Sequence, residues 1–78
     1  MWNEYPKCPP LEADRYLVVW RGNIVIRNYA LNLEEVSEYD FAGMRHPGWY
    51  DYDMECGYYE SHGITHWMPL PKKPKGVK

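Results

Sequence analysis

Phenylalanine is nearly missing from this chain: there is one Phe among 78 residues, against eight Tyr and four Trp. An interior built here must use rings that carry a polar handle, and such rings serve equally as packing anchors and as contact groups. Cysteine is scarce as well. Cys8 and Cys56 cannot supply the dense disulfide framework of a small secreted domain, and the redox argument favours free thiols. The longest uninterrupted apolar run, Leu17-Val18-Val19-Trp20, is far too short for a membrane-spanning helix. No basic stretch followed by an apolar run opens the sequence, so no secretory signal is expected. The composition predicts a soluble intracellular protein with no membrane association.

Catalytic signatures are also absent. Ser37 and Ser61 lack a G-x-S-x-G context, and Cys8 sits among prolines with no helix N-terminus to lower its pKa. For metals, no C-x2-4-C knuckle occurs, although Cys56, His62 and His66 include a spacing that some zinc sites use. A metal-binding domain built on His46, Cys56, His62 and His66 is therefore an alternative. Against it, a strand would hold His62 and His66 roughly 13 Å apart. Asp51-x-Asp53-x-Glu55 hints at calcium, but the twelfth loop position is His62 where a Glu is required. Neither enzyme activity nor a cofactor is expected.

What the chain does have is charge segregation. The net charge is −2, yet residues 34–60 hold Glu34, Glu35, Glu38, Asp40, Asp51, Asp53, Glu55 and Glu60 against Arg45 alone, a local −7. Residues 61–78 hold four lysines and no acid. Aromatic residues run through the acidic third: Tyr39, Phe41, Trp49, Tyr50, Tyr52, Tyr58 and Tyr59. A solvating tail would lack them. The mixture resembles a contact surface for a basic partner; its bland alternative is a solvated face over an aromatic core. Direct nucleic-acid binding is disfavoured, because the stacking groups lie where the charge repels a phosphate backbone.

Local patterns predict an α+β protein, mostly β, with a small antiparallel sheet of three to five strands and at most one short helix. Arg15–Trp20 and Ile24–Tyr29 are rich in β-branched and aromatic residues and form a hairpin over Arg21-Gly22-Asn23. Pro6, Pro9 and Pro10 keep the N-terminal segment extended. Asn32 suits an N-cap, with Glu34 and Glu35 in the first turn of a short helix. Residues 42–48 read as a loop. Alternation over 49–59 predicts one strand broken near Cys56-Gly57, with Trp49, Asp51, Asp53 and Glu55 on an acidic outer face and Tyr50, Tyr52 and Met54 opposite. Ser61-His62-Gly63 reads as a turn. Ile64–Leu70 is a final strand whose prolines at 69 and 71 place its end at a sheet edge. Trp67 and Met68 are expected as its packing residues. The chain divides into one domain over 1–71 and a lysine-rich tail over 72–78.

The closing stretch Thr65-His66-Trp67-Met68-Pro69-Leu70-Pro71, followed by Pro74, resembles the terminal signature of a family of small bacteriophage and prophage proteins of unknown function. Trp2, Pro9 or Pro10, Leu17-Val18-Val19, Gly22 and the Gly48-Trp49 pair are similar to further landmarks of that family. The early prolines and the acidic stretch from Glu34 to Asp40 depart from it. The resemblance implies a phage or prophage origin, action in the cytoplasm of a bacterial host, and no transferable site residues. Small acidic phage proteins often block a host protein. The expected function is binding to a host protein with a basic surface, in a nucleic-acid-handling or defence complex. The contact residues are Glu34, Glu35, Glu38, Asp40, Asp51, Asp53 and Glu55, with Tyr50 and Tyr52 as anchors. A homo-oligomeric structural module is the other alternative.

Overall fold

The computed structural model describes residues 1–71; the lysine-rich segment 72–78 lies outside the described residues. Six strands and one helical turn follow in the order β1 Asn3–Glu4, β2 Asp14–Trp20, β3 Asn23–Ala30, α1 Leu33–Val36, β4 Gly48–Asp53, β5 Gly57–Ser61 and β6 Ile64–Pro69. They form one antiparallel sheet in the order β1-β6-β2-β3-β4-β5. The strand count exceeds the expected three to five. The additional pairing comes from Asn3–Glu4 on β6, and from the 49–59 segment, whose break before Gly57 is a reversal into the β4–β5 hairpin.

The β2–β3 hairpin forms where the β-branched runs predict it. Its two-residue turn has positive φ at both Arg21 (51°) and Gly22 (79°), the twist that joins right-handed strands without splaying them. Asn32 caps α1 through its side-chain oxygen, which accepts the Glu34 N–H at 3.2 Å. The helix stops after one turn because Ser37 is extended (φ −158°, ψ 110°), and its first-turn donors are satisfied by the following loop: Leu33 N–H donates to the His46 carbonyl and Glu34 N–H to the Met44 carbonyl.

β5 and β6 stand four places apart in the sheet, yet only His62 and Gly63 join them. In a flat sheet that separation is ~19 Å, whereas three Cα steps reach at most ~11 Å. The sheet must therefore curl, and its concave face becomes the main core. Tyr16, Val18, Tyr29, Trp49 and Ile64 are buried there, with Tyr5, Trp20, Val25 and Trp67 packed against them. A bulge at the Val19/Trp20 position of the β2–β6 ladder leaves Thr65 without an opposite residue. Strict alternation would put Ile64 on the side of His66 and Met68; the extra residue turns it inward.

The segment between β1 and β2 closes this core. Trp67 Nε1–H donates to the Cys8 carbonyl, the Tyr16 hydroxyl to the Glu12 carbonyl at 2.8 Å, and Tyr5 N–H to the Thr65 carbonyl at 2.9 Å. Five of the ring pairs are edge-on contacts among Tyr5, Tyr16, Tyr29, Trp49 and Trp67. Burial pushes the Tyr5, Tyr16 and Tyr29 phenols above their ordinary range. Trp49 is the side chain at the centre, 2% exposed, and among the described residues its Nε1–H closes no hydrogen bond although the Tyr5 hydroxyl lies near enough to interact with it.

The packing expectation holds for Trp67, which lies against this core, while Met68 lies on the opposite face. Trp67 is only half-buried, lying at the rim under Cys8; Trp49, on β4 beside the hairpin, is the residue the core encloses. The edge expectation for β6 fits, since β1 covers only His66 and Trp67 and leaves Pro69 without an outer neighbour. A second, smaller core lies on the convex face. There Ala30, Leu33 and Phe41 are buried beneath Val36, Met44, Tyr50 and Tyr58. Gly48 is the point of closest approach, because a Cβ there would stand 2.8 Å from Leu33 Cδ1.

Candidate functional site

Two loops meet at the far end of the β4–β5 hairpin. The first, 37–41, is a turn closed by Phe41 N–H on the Ser37 carbonyl and anchored by the buried Phe41 ring. The second is the hairpin connection 54–56. Asp53 shapes it by accepting the Glu55 and Cys56 N–H groups on Oδ1 at 2.7 and 3.3 Å, an Asx-type turn. The reversal ends on Gly57 at φ 85°, a conformation that favours glycine. Asp40 locks the loops together: Oδ2 accepts the Ser37 hydroxyl at 3.1 Å and the Tyr58 N–H at 3.3 Å. Tyr58 lies on the outermost strand, so this carboxylate occupies an outward-facing donor of an open sheet edge.

The expected contact residues divide sharply. Glu35, Glu38, Asp53, Glu55 and Tyr52 are exposed. Glu34 is committed to its own loop, accepting the Gly43 N–H at 2.8 Å and the Arg45 Nε at 2.9 Å. The Gly43 N–H first, then Arg45, hold its carboxyl below the ordinary glutamate value. Asp40 is consumed by the loop junction just described. Asp51 lies on the concave side with Trp49, where it meets Arg27 at 3.4 Å. The face carrying Trp49, Asp51 and Asp53 is therefore the inner face of β4; an acidic outer face on this strand does not form. Its register is set by the bulkiest residue, since Trp49 turns inward and takes the next alternate residue with it.

Tyr50 likewise serves packing. Its ring lies edge-on to Phe41 and Tyr58 at 6.1 and 5.8 Å, and burial, then Tyr58, raises its pKa. Tyr52, next on the same side, leans edge-on against Tyr58 at 4.9 Å but stays 55% exposed. Two further residues belong to this end without having been expected: Tyr39, 93% exposed, and Met54, 91% exposed. Their signal was position alone, each sitting at the crest of a turn flanked by acids. The result is a surface of Tyr39, Tyr52 and Met54 set among Glu38, Asp53 and Glu55. It can present carboxylates and large apolar groups together to a cationic, partly apolar partner surface.

The alternative metal ligands are not brought together. His46 Nδ1 rests by the Pro47 carbonyl, Cys56 is a free exposed thiol, His62 faces Glu60 at 3.5 Å and His66 meets the Thr65 hydroxyl. Among the described residues no three His, Cys, Asp or Glu side chains gather into a group able to hold a metal ion. Nor is any helix of the described residues long and apolar enough to cross a membrane.

Comparison with known proteins gives a family and nothing more. Residues 9–75 match the model of a family described as Protein of unknown function (DUF551). No curated protein and no solved structure matches the chain.

Proposed function

We propose that this chain, which belongs to the DUF551 family, is a non-enzymatic protein-binding factor of bacteriophage or prophage origin. It acts in the cytoplasm of its bacterial host. Its acidic, aromatic end docks on the basic surface of a host protein that handles nucleic acid or serves defence, and inhibits it. One observation supports the reading above others: Tyr39, Tyr52 and Met54 stand exposed among Glu38, Asp53 and Glu55 where the two loops meet. Phenol rings and a thioether give hydrophobic anchors, and the surrounding carboxylates steer a cationic partner and fix its register. The closing Thr65–Pro71 motif supports the phage origin and is otherwise structural.

The test is affinity capture of the protein from host lysate, identification of the partner by mass spectrometry, and titration of the purified pair. Affinity should fall steeply with salt, and Tyr52→Ala and Glu55→Lys should each weaken it. A salt-insensitive complex that ignores both substitutions overturns the reading.

Self-association is a second reading, favoured by the β6–β2–β3 part of the convex face, which lies outside the smaller core. Met68, Leu17 and Ile26 form one row across β6, β2 and β3, and His66, Val19 and Ile24 the next. Ile24 and Ile26 are 63% and 40% exposed. Light scattering over a dilution series decides it: a clean monomer removes self-association.

A further inference from the structure

At the other end of β5, away from the acidic loops, a cavity of about 240 Å³ opens between the β2–β3 turn and the β5–β6 link. One indole in its lining carries two cations against its ring. Arg21 and Arg27 place their guanidinium carbons 4.8 and 5.4 Å from the Trp20 ring centroid. The ring is fixed in turn by its Nε1–H, which donates to the His62 carbonyl at 2.7 Å. Arg27 is pinned from below. Its Nε donates to the buried Ser61 hydroxyl at 3.3 Å, and Nη1 donates to the Ile26 carbonyl at 2.9 Å and reaches Asp51 at 3.4 Å.

These contacts leave donors over. Arg27 Nη2 has no partner among the described residues, and Arg21 meets neither a hydrogen-bond acceptor nor a carboxylate among them. Arg21 also sits at φ 51°, the described non-glycine residue with positive φ, where Asn or Gly would be less strained. A turn alone does not call for arginine at that position. Guanidinium groups held rigidly on an aromatic face are pre-organised for planar, multidentate recognition of oxyanions.

We propose that this cavity binds a small phosphate monoester. The Arg21 guanidinium, unpaired among the described residues, and the spare Nη2 of Arg27 offer several N–H donors to one ligand, which suits the three terminal oxygens of a phosphate better than the two of a carboxylate. Asp51 and Glu60 are the opposing charges: Asp51 takes one side of Arg27, and Glu60 leans toward His62. Neither reaches Arg21, so the outer half of the site keeps its cation. The cavity is smaller than the ~300–1,000 Å³ of sites for drug-sized ligands, which limits the ligand to the size of a mononucleotide or less. Tyr59 lines the same cavity and is 41% exposed, a platform on which a base can stack. The site is independent of the acidic end, and the two proposals fail separately.

The experiment is a nitrogen-15 NMR titration of the full chain with inorganic phosphate, with adenosine monophosphate and with adenosine, following the Trp20 indole N–H and the Tyr59 and Ser61 amides. Phosphate and the nucleotide should give saturable shifts localised to those signals, and adenosine none. Tighter binding of the nucleotide than of phosphate identifies a nucleotide; equal binding identifies the phosphate group alone. Arg21→Gln lies on an exposed turn and should leave the melting temperature unchanged while weakening binding by about tenfold or more. Absence of saturation by both anions at millimolar concentration overturns the proposal. So does adenosine binding as well as its phosphate, or an Arg21→Gln protein that binds like the parent.

Discussion

At the base of the β4–β5 hairpin stands Trp49, 2% exposed and ringed by Tyr5, Tyr16 and Tyr29. At its tip stand Tyr52 and Met54, 55% and 91% exposed, beside Asp53 and Glu55. Both ends draw on the same mixture of large side chains and carboxylates. Curvature separates them: the base lies under the concave face, closed by the N-terminal segment, while the tip runs beyond the reach of β3 and is joined by the 37–41 loop at Asp40. The charges follow the same division. Asp51, near the base, meets Arg27; Glu38, Asp53 and Glu55, near the tip, meet no cation among the described residues. Position on one hairpin thus decides whether an acid stabilises the fold or remains available to a partner.

The sharpest way to break that comparison is at the base. Trp49→Ala should cost about 3–5 kcal/mol in urea unfolding, and Trp67→Ala clearly less, because Trp67 is only half-buried. Equal losses would remove Trp49 from its central role. Next comes the junction between the regions. Asp40→Ala strips the acceptor from the Tyr58 N–H and the Ser37 hydroxyl and should cost about 1–3 kcal/mol. It should also raise self-association at the uncapped β5 edge, read by light scattering.

A smaller effect concerns the loop behind the tip. The Glu34 carboxyl is held below its ordinary 4.5 by the Gly43 N–H and Arg45. A depressed folded value means that its stabilisation is complete above the unfolded value and is lost as pH falls through the folded one. The parent melting temperature should drop over that acid range, and Glu34→Gln should flatten that drop. Smallest for stability, and decisive for function, is the tip itself. Glu38→Lys with Glu55→Lys should change unfolding by no more than about 0.5 kcal/mol while slowing association with the partner severalfold in stopped-flow measurements. A large stability loss would make the tip part of the fold's own support.

Where the sequence was legible, the controlling chemistry was local. Arg21-Gly22-Asn23 between two β-branched runs was legible as a hairpin because Gly22 tolerates the positive φ that the strand twist asks of a short turn, and Asn32 specifies its cap because one side-chain oxygen reaches one N–H two residues on. The 49–59 segment shows the limit. Its alternation correctly separates Trp49, Asp51 and Asp53 from Tyr50 and Tyr52, but period two does not say which side is inward. Five of the proposed contact acids and anchors, Glu35, Glu38, Asp53, Glu55 and Tyr52, are exposed. Glu34, Asp40, Asp51 and Tyr50 are bound by partners 9, 18, 24 and 9 residues away in the chain, distances at which no local pattern operates.

By itself the sequence determined the β-rich character, the hairpin, the helix cap and the segregation of acid into one third of the chain. Those depend on neighbouring residues and on composition. Only the tertiary structure decided which Trp anchors the core, which acids are spent inside the molecule, and that Trp20, Arg21 and Arg27 converge on one cavity. These depend on how far the sheet curls and on the two-residue link that makes it curl, a property of the closed chain and of no single segment.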